Sequence, residues 1–274
     1  MNKFANKTIL DEVRQASSLK DTLIIDCHGH LGRWNNVYLP KSDLSEIIKM
    51  MNRFGIDKLC ISSFLGCSCD FRTGNDQVGA AVRKYPDRLI GYTTVNPNFP
   101  EEVAVELKRC KKEYGFVMVK IHPFCHEYPA DGKAYRPVWE FANQRRSIVL
   151  SHTWEADKYC APTMFGKIAA RYPKAKIILG HSGVTYNGCE EAIAVAKRYK
   201  NIYLDIASSQ PHFGILERFV DEVGAHRVLF GTDTPFLEPA CQIGKVAFAK
   251  ISENQKRQIL GLNMKNLLDS IRCS

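Results

Sequence analysis

Eight short apolar runs, each followed by a stretch of helical periodicity, divide this chain into repeats of about 30 residues, the size of one strand–helix unit. The runs cover 23–27, 58–62, 89–95, 116–121, 147–151, 175–180, 201–206 and 227–231, and they are rich in β-branched residues. Strands that alternate with helices require a parallel sheet with the helices packed outside it. Eight such units in 274 residues favour an α/β fold of the closed (β/α)8 TIM-barrel type over an open doubly wound sheet. Neither Gly-x-Gly-x-x-Gly nor Gly-x-x-x-x-Gly-Lys follows the first run, so the nucleotide-binding open sheets lose their main signature. No linker-like stretch interrupts the pattern. Residues 1–274 are therefore expected to form a single domain, with 1–22 as an N-terminal extension and 252–274 as a C-terminal helix covering the barrel exterior.

The helical stretches carry start and stop marks. Leu44, Ile47, Ile48 and Met51 form one stripe, Asp43 with Glu46 resembles a capping box, and Gly55 stands where a left-handed residue would end the helix. Asn75 is expected to cap a helix that stops before Pro86. The stripe recurs at Val103, Leu107 and Cys110, and at Phe165, Ile168 and Ala169.

Composition narrows the class. The apolar fraction of 45% is enough for a large core, and no stretch approaches the ~20 apolar residues of a membrane span. Residues 1–20 mix charges with isolated apolar residues and lack a secretory core, so the expected location is the cytoplasm. Ten cysteines then read as reduced thiols, with Cys67 and Cys69 in a loop. The net charge of +9 is spread along the helices without a dense run; it reads as a solvated surface with a mild bias toward an anionic small-molecule substrate. A membrane or nucleic-acid partner is not expected, whereas pairing of two copies through the outer helices fits the architecture.

In barrels of this kind the chemistry sits at the C-terminal ends of the strands. His28 and His30 end the first run, Lys120 and His122 the fourth, His152 the fifth, His181 the sixth and Asp233 the eighth. Residues two apart on a strand share a face, so the first two imidazoles point the same way. Each of these residues has an ordinary explanation when taken singly. Together they put five of the eight histidines at one end of the barrel. Neutral imidazole is a common ligand for zinc and its neighbours.

The segments Asp26-Cys27-His28-Gly29-His30, Val119-Lys120-Ile121-His122-Pro123, Ser151-His152-Thr153, Leu179-Gly180-His181-Ser182-Gly183 and Phe230-Gly231-Thr232-Asp233-Thr234-Pro235-Phe236 resemble the motifs of the amidohydrolase superfamily. The likeness is closest to the amidohydrolase-related branch of metal-dependent hydrolases and decarboxylases, and Gly261-Leu262-Asn263-Met264 resembles that branch's closing helix. The resemblance implies one divalent metal, usually zinc, held by His28, His30, His152 and Asp233. His181 would be an acid/base, or a ligand in two-metal relatives. In those relatives the strand-four lysine is carboxylated and bridges two ions, which here would be Lys120. In the one-metal branch Lys120 would bind a substrate carboxylate or neutralise charge near Asp233. The chemistry agrees with such a set: three imidazoles and a carboxylate suit zinc, and a bound water drops from a pKa near 16 to roughly 7. Asp233 and His181 are the expected catalytic pair.

Arg33 and Arg72 lie in the rim loops and, with Lys120 and His122, are the expected substrate contacts. The loops also carry Trp34, Phe124, Trp154, Tyr186 and Phe236, which suits a small planar acid. The segment 124–133 reads as a lid. The leading expectation is a metal-dependent hydrolase of a small amide, ester or lactone, with a non-oxidative decarboxylase of an unsaturated or aromatic acid as the alternative. A TatD-type nuclease ranks lower, because those enzymes carry a glutamate where this chain has Lys120. A metal-free binding protein on a barrel scaffold ranks last.

Overall fold

The computed structural model describes residues 7–16, 18–19, 21–210 and 212–272. Every expected run forms a strand: β1 (Ile25–Leu31), β2 (Lys58–Ser63), β3 (Leu89–Thr94), β4 (Met118–Ile121), β5 (Ile148–His152), β6 (Lys176–Gly180), β7 (Ile202–Asp205) and β8 (Val228–Leu229). They pair in parallel in sequence order from β1 to β8. β1 runs on through His28 and His30, and its register with β2 shifts between Asp26 and Gly29. At the seam between β8 and β1 separate backbone bonds take the place of a ladder. Cys27 N–H donates to Phe230 O (2.9 Å), Asp233 N–H to His28 O (2.8 Å) and His30 N–H to Thr234 O (2.7 Å). The barrel is nearly closed.

Seven crossover helices and one that follows the last strand surround it: α1 (Leu44–Phe54), α2 (Phe71–Lys84), α3 (Pro100–Tyr114), α4 (Arg136–Gln144), α5 (Phe165–Arg171), α6 (Tyr186–Arg198), α7 (Ile215–Val223) and, after β8, α8 (Pro239–Phe248). The strands are apolar on both faces, as parallel strands covered by helices must be. Leu59, Val119, Val149, Ile177 and Leu204 pack with the helices. Their alternates Cys60, Met118, Ile148, Leu150 and Ile178 form a second cluster with Ile25, Cys27, Tyr92 and Leu229. Met264, Leu267 and Leu268 of the C-terminal helix Asn263–Arg272 join that second cluster. The final helix therefore packs with the inward-facing residues, where a cover for the exterior was expected, while Ile259 and Leu260 just before it join the outer cluster. It is also two helices, Glu253–Arg257 and Asn263–Arg272, joined by a π-helical turn at Gln258–Leu262. Residues 273–274 lie outside the described residues.

In the N-terminal extension, Thr8 caps a helix Ile9–Arg14 whose Ile9 is in the core; residues 1–6, 17 and 20 lie outside the described residues. Asp43 caps α1 through Ser45 and Glu46 N–H, and Gly55 ends it at φ 70°. Glu46 bonds Lys49 instead (2.6 Å), so the reciprocal half of a capping box is not made. Asn75 is not a cap. Asp70 caps α2 by accepting from Thr73 N–H (2.9 Å), and Asn75 lies inside the helix, buried against β3 and α3. Its carboxamide accepts from Thr94 N–H (2.8 Å) and donates to Thr94 O (2.9 Å) and Glu106 Oε1 (2.8 Å). The nine described cysteines are free, and Cys67 sits in a short helix Phe64–Ser68 where a loop was expected. Among the described residues no helix is long and apolar enough to cross a membrane.

Candidate metal and substrate site

The strand ends converge on one chamber. A cavity of about 280 Å³ is lined by His30, Lys120, His122, His152, His181 and Asp233, with Trp34, Phe64, Phe124, Trp154 and Phe236 among its walls. His28 lies fully buried beneath them. His28 Nε2 and His30 Nε2 stand 3.4 and 3.1 Å from Asp233 Oδ1. Lys120 Nζ is 2.8 Å from His28 Nε2. The His152 ring stacks on His122 (4.2 Å between centroids, 12°) and meets His181 edge-on at 5.0 Å.

Two of these residues sit in backbone that favours glycine. His181 has φ 65° and Asp233 has φ 61°, a left-handed conformation that costs a non-glycine residue and persists where the surroundings over-determine it. At Asp233 the determinants are its own N–H on His28 O and the neighbouring Thr232, whose N–H (3.1 Å) and hydroxyl (2.5 Å) donate to Asp26. Asp26 also accepts from His28 N–H (2.9 Å), and burial pushes its carboxyl up to about 8.

The donor set fits a divalent ion. His28 Nδ1 donates to Asp205 Oδ2 (2.7 Å), which leaves Nε2 as the bare nitrogen facing Lys120 and Asp233. Burial holds the imidazoles neutral: His28 and His152 fall well below the usual histidine range, and His30 drops to about 4. Burial works against the Asp233 carboxylate, but His181, His30 and Lys120 outweigh it and hold it below the ordinary value. Among the described residues, His28, His30 and Asp233 bring one ligand atom each within 4.8 Å of the others. A second such group, His28, His181 and Asp205, is accounted for by hydrogen bonds, since Asp205 Oδ2 already holds His28 Nδ1 and accepts from His181 N–H (3.2 Å). His152 belongs to neither group. Its Nδ1 is buried without a hydrogen-bond partner.

Of the expected substrate contacts, Lys120 and His122 line the cavity and are buried. Arg33 and Arg72 are exposed and do not line it; Arg72 projects from the first turn of α2. The expected lid at 124–133 is pinned down: Trp139 Nε1 donates to Ala130 O (2.8 Å), His126 Nδ1 meets Tyr135 Oη (2.7 Å), and only Phe124 reaches the cavity. Sequence reading missed Asp205, because it lies inside the seventh apolar run, one residue before the end assigned to it. A carboxylate closing that run would have met the criterion that found His152 and His181. Gly231 permits its approach: a Cβ there would run into the Asp205 carboxylate and press on His28 Cβ at 3.0 Å.

The amidohydrolase family profile matches residues 68–269. The chain belongs to the amidohydrolase family. This family member is 26% identical over 245 residues to gamma-resorcylate decarboxylase from a Polaromonas species, covering 72% of this chain and 75% of the relative. Among solved structures it is similar to a dihydroxybenzoic acid decarboxylase from Polaromonas with bound manganese and 2-nitroresorcinol. The TM-score is 0.74 and the identity 21%, over 90% of this chain and 97% of that one. A second is 2,6-dihydroxybenzoate decarboxylase complexed with 2,6-dihydroxybenzoate, at TM-score 0.71 and 18% identity, over 91% and 98% of the two chains. These relatives overturn the leading expectation of a hydrolase, since each of the three is named as a decarboxylase. The sequence could not separate the two, because both reactions call on a Lewis acid and an acid/base at the same strand ends.

Proposed function

We propose that this chain is a metal-dependent, non-oxidative decarboxylase of a small aromatic carboxylic acid. The observation that carries the reading is the buried Lys120 ammonium facing a cavity walled by flat aromatic rings, beside a His-His-Asp ligand group. A planar acid suits that chamber: its ring lies among Trp34, Phe64, Phe124, Trp154 and Phe236, and its carboxylate meets Lys120, the one lysine or arginine among the described lining residues. The named activities of the relatives support the reaction class.

His28, His30 and Asp233 would hold the ion, with His152 as the further donor whose buried nitrogen lacks a partner. Manganese is the proposed metal, supported by its presence in the neighbouring dihydroxybenzoic acid decarboxylase. When bound, the ion supplies Lewis-acid polarisation of the oxygens beside it. Loss of carbon dioxide from an aryl carboxylate breaks the ring–carboxyl bond, returns its electron pair to the ring and needs one proton at that ring carbon. His181 and Asp233 both line the cavity and are the groups that carry this proton. The aromatic wall keeps the reacting carbon out of water.

The test is direct. Protein stripped with chelator and reloaded with manganese should release carbon dioxide from 2,6-dihydroxybenzoate and yield resorcinol, while the stripped protein should not. Absence of carbon dioxide release from both 2,6-dihydroxybenzoate and 5-carboxyvanillate, with manganese bound, would overturn the proposal.

A further inference from the structure

His181 presents a defined ring nitrogen to the cavity only while its other nitrogen is held. Nδ1 lies 2.6 Å from Ala207 O, a carbonyl that can only accept, so Nδ1 carries the hydrogen and Nε2 is left to take or give a proton. Ala207 follows the end of β7, in a segment that is neither strand nor helix. Its N–H caps Asp205 Oδ1 (2.9 Å). The carbonyls on either side of it are held from α8. Lys245 Nζ donates to Ser208 O (2.6 Å) and Ile206 O (3.3 Å), and Gln242 Nε2 donates to the same Ser208 O (3.1 Å). Gln242 and Lys245 are three apart and share a helix face. Both side chains come from outside the catalytic chamber, and neither lines it.

We propose that Lys245, assisted by Gln242, is a positioning residue that fixes the tautomer and orientation of His181 by clamping the two carbonyls that flank Ala207. The clamp works at one remove: it aims the Ala207 carbonyl, and that carbonyl selects the Nδ1–H form. An ammonium suits this task because its three hydrogens can satisfy several carbonyls at once, which no apolar side chain of the same length can do. The role deepens the decarboxylase reading, on which its kinetic arm rests, but the tautomer itself can be measured without any substrate.

The experiment uses zinc-loaded protein with 15N-labelled histidine and reads the protonation of the His181 ring nitrogens by long-range 15N–1H correlation, with His181→Gln assigning the signals. Wild type and Lys245→Arg are expected to show the Nδ1–H form, and Lys245→Met a shift toward Nε2–H. With manganese-loaded protein and 2,6-dihydroxybenzoate, Lys245→Met should lower kcat about 10–100-fold, the range known for loss of an outer partner of a metal-binding histidine, with KM little changed. Lys245→Arg should restore most of kcat. Gln242→Leu should move both readouts the same way by a smaller amount, and it carries the test alone if Lys245→Met does not fold. An unchanged tautomer in the folded Lys245→Met and Gln242→Leu variants overturns the inference, whatever kcat does. No turnover by wild type overturns the decarboxylase reading and leaves the tautomer result standing.

Discussion

His28 owes its unprotonated Nε2, which faces Lys120 Nζ at 2.8 Å, to Asp205, a residue with no ligand spacing of its own. The carboxylate binds Nδ1 at 2.7 Å and is itself held by Ala207 N–H and His181 N–H. Such a partner orients a metal-binding imidazole and raises its basicity. Asp205→Asn keeps the shape and removes the charge, so manganese affinity should fall about tenfold or more, read by isothermal titration of chelator-stripped protein. Affinity equal to wild type would show that His28 is oriented by other means. At this scale the sequence told part of the story. Residues that close an apolar run (His28, His30, His152, His181, Asp233) could be named, because a strand end at the barrel mouth leaves a side chain little choice of direction. Arg33 and Arg72 could not be placed, because a loop of unknown path gives its side chains no direction at all. Asp205 escaped for a third reason: one residue's error in a strand boundary moved it from the mouth into the wall.

Helix and strand positions followed from periodicity more surely than the contacts between elements. The run at 89–95 gave β3 and the stripe at Val103, Leu107 and Cys110 gave the buried face of α3. Asn75, by contrast, looked like a helix start and proved to be a buried link joining α2, β3 and α3. Nothing local distinguishes a capping asparagine from one whose partners, Thr94 and Glu106, are 19 and 31 residues away. The link has a pH signature. Burial alone would raise the Glu106 carboxyl, but hydrogen bonds from Arg109 (2.7 and 2.8 Å), Asn75 and Cys110 outweigh it and hold it below the ordinary value. A depressed carboxyl stabilises the fold above its unfolded-state range and loses that contribution as pH falls through the folded value. Urea titrations of Glu106→Gln should therefore show a shallower loss of stability on the acid side than wild type. Asn75→Ala, which strands Thr94 N–H inside the protein, should cost about 1–3 kcal/mol at neutral pH. An acid limb identical to wild type in Glu106→Gln would remove Glu106 from the account.

Across the whole molecule three of the four proposed ligands straddle the weakest joint of the barrel, while the fourth, His152, ends β5. His28 and His30 belong to β1, and Asp233 follows β8, on opposite sides of the seam where single backbone bonds replace a ladder. The other neighbours pair in ladders, interrupted by the register shift between β1 and β2, and β2 and β3 pair over three residues from Leu59–Leu89 to Ile61–Gly91. An ion bound by both sides adds a link across the joint, and its effect should be local. At a free concentration about 100 times its Kd, a ligand of the native state alone adds about 2.7 kcal/mol, or roughly 100-fold in an opening equilibrium coupled to its release. Hydrogen–deuterium exchange before and after chelation should show this gain at the amides of Cys27, His30 and Asp233, which make the seam bonds. The β2–β3 ladder should change much less, since it carries none of the proposed ligands. Equal gains in both regions would mean that the ion stabilises the fold globally and leaves the seam no special role. No gain in either would mean that β1 and β8 do not share an ion at all.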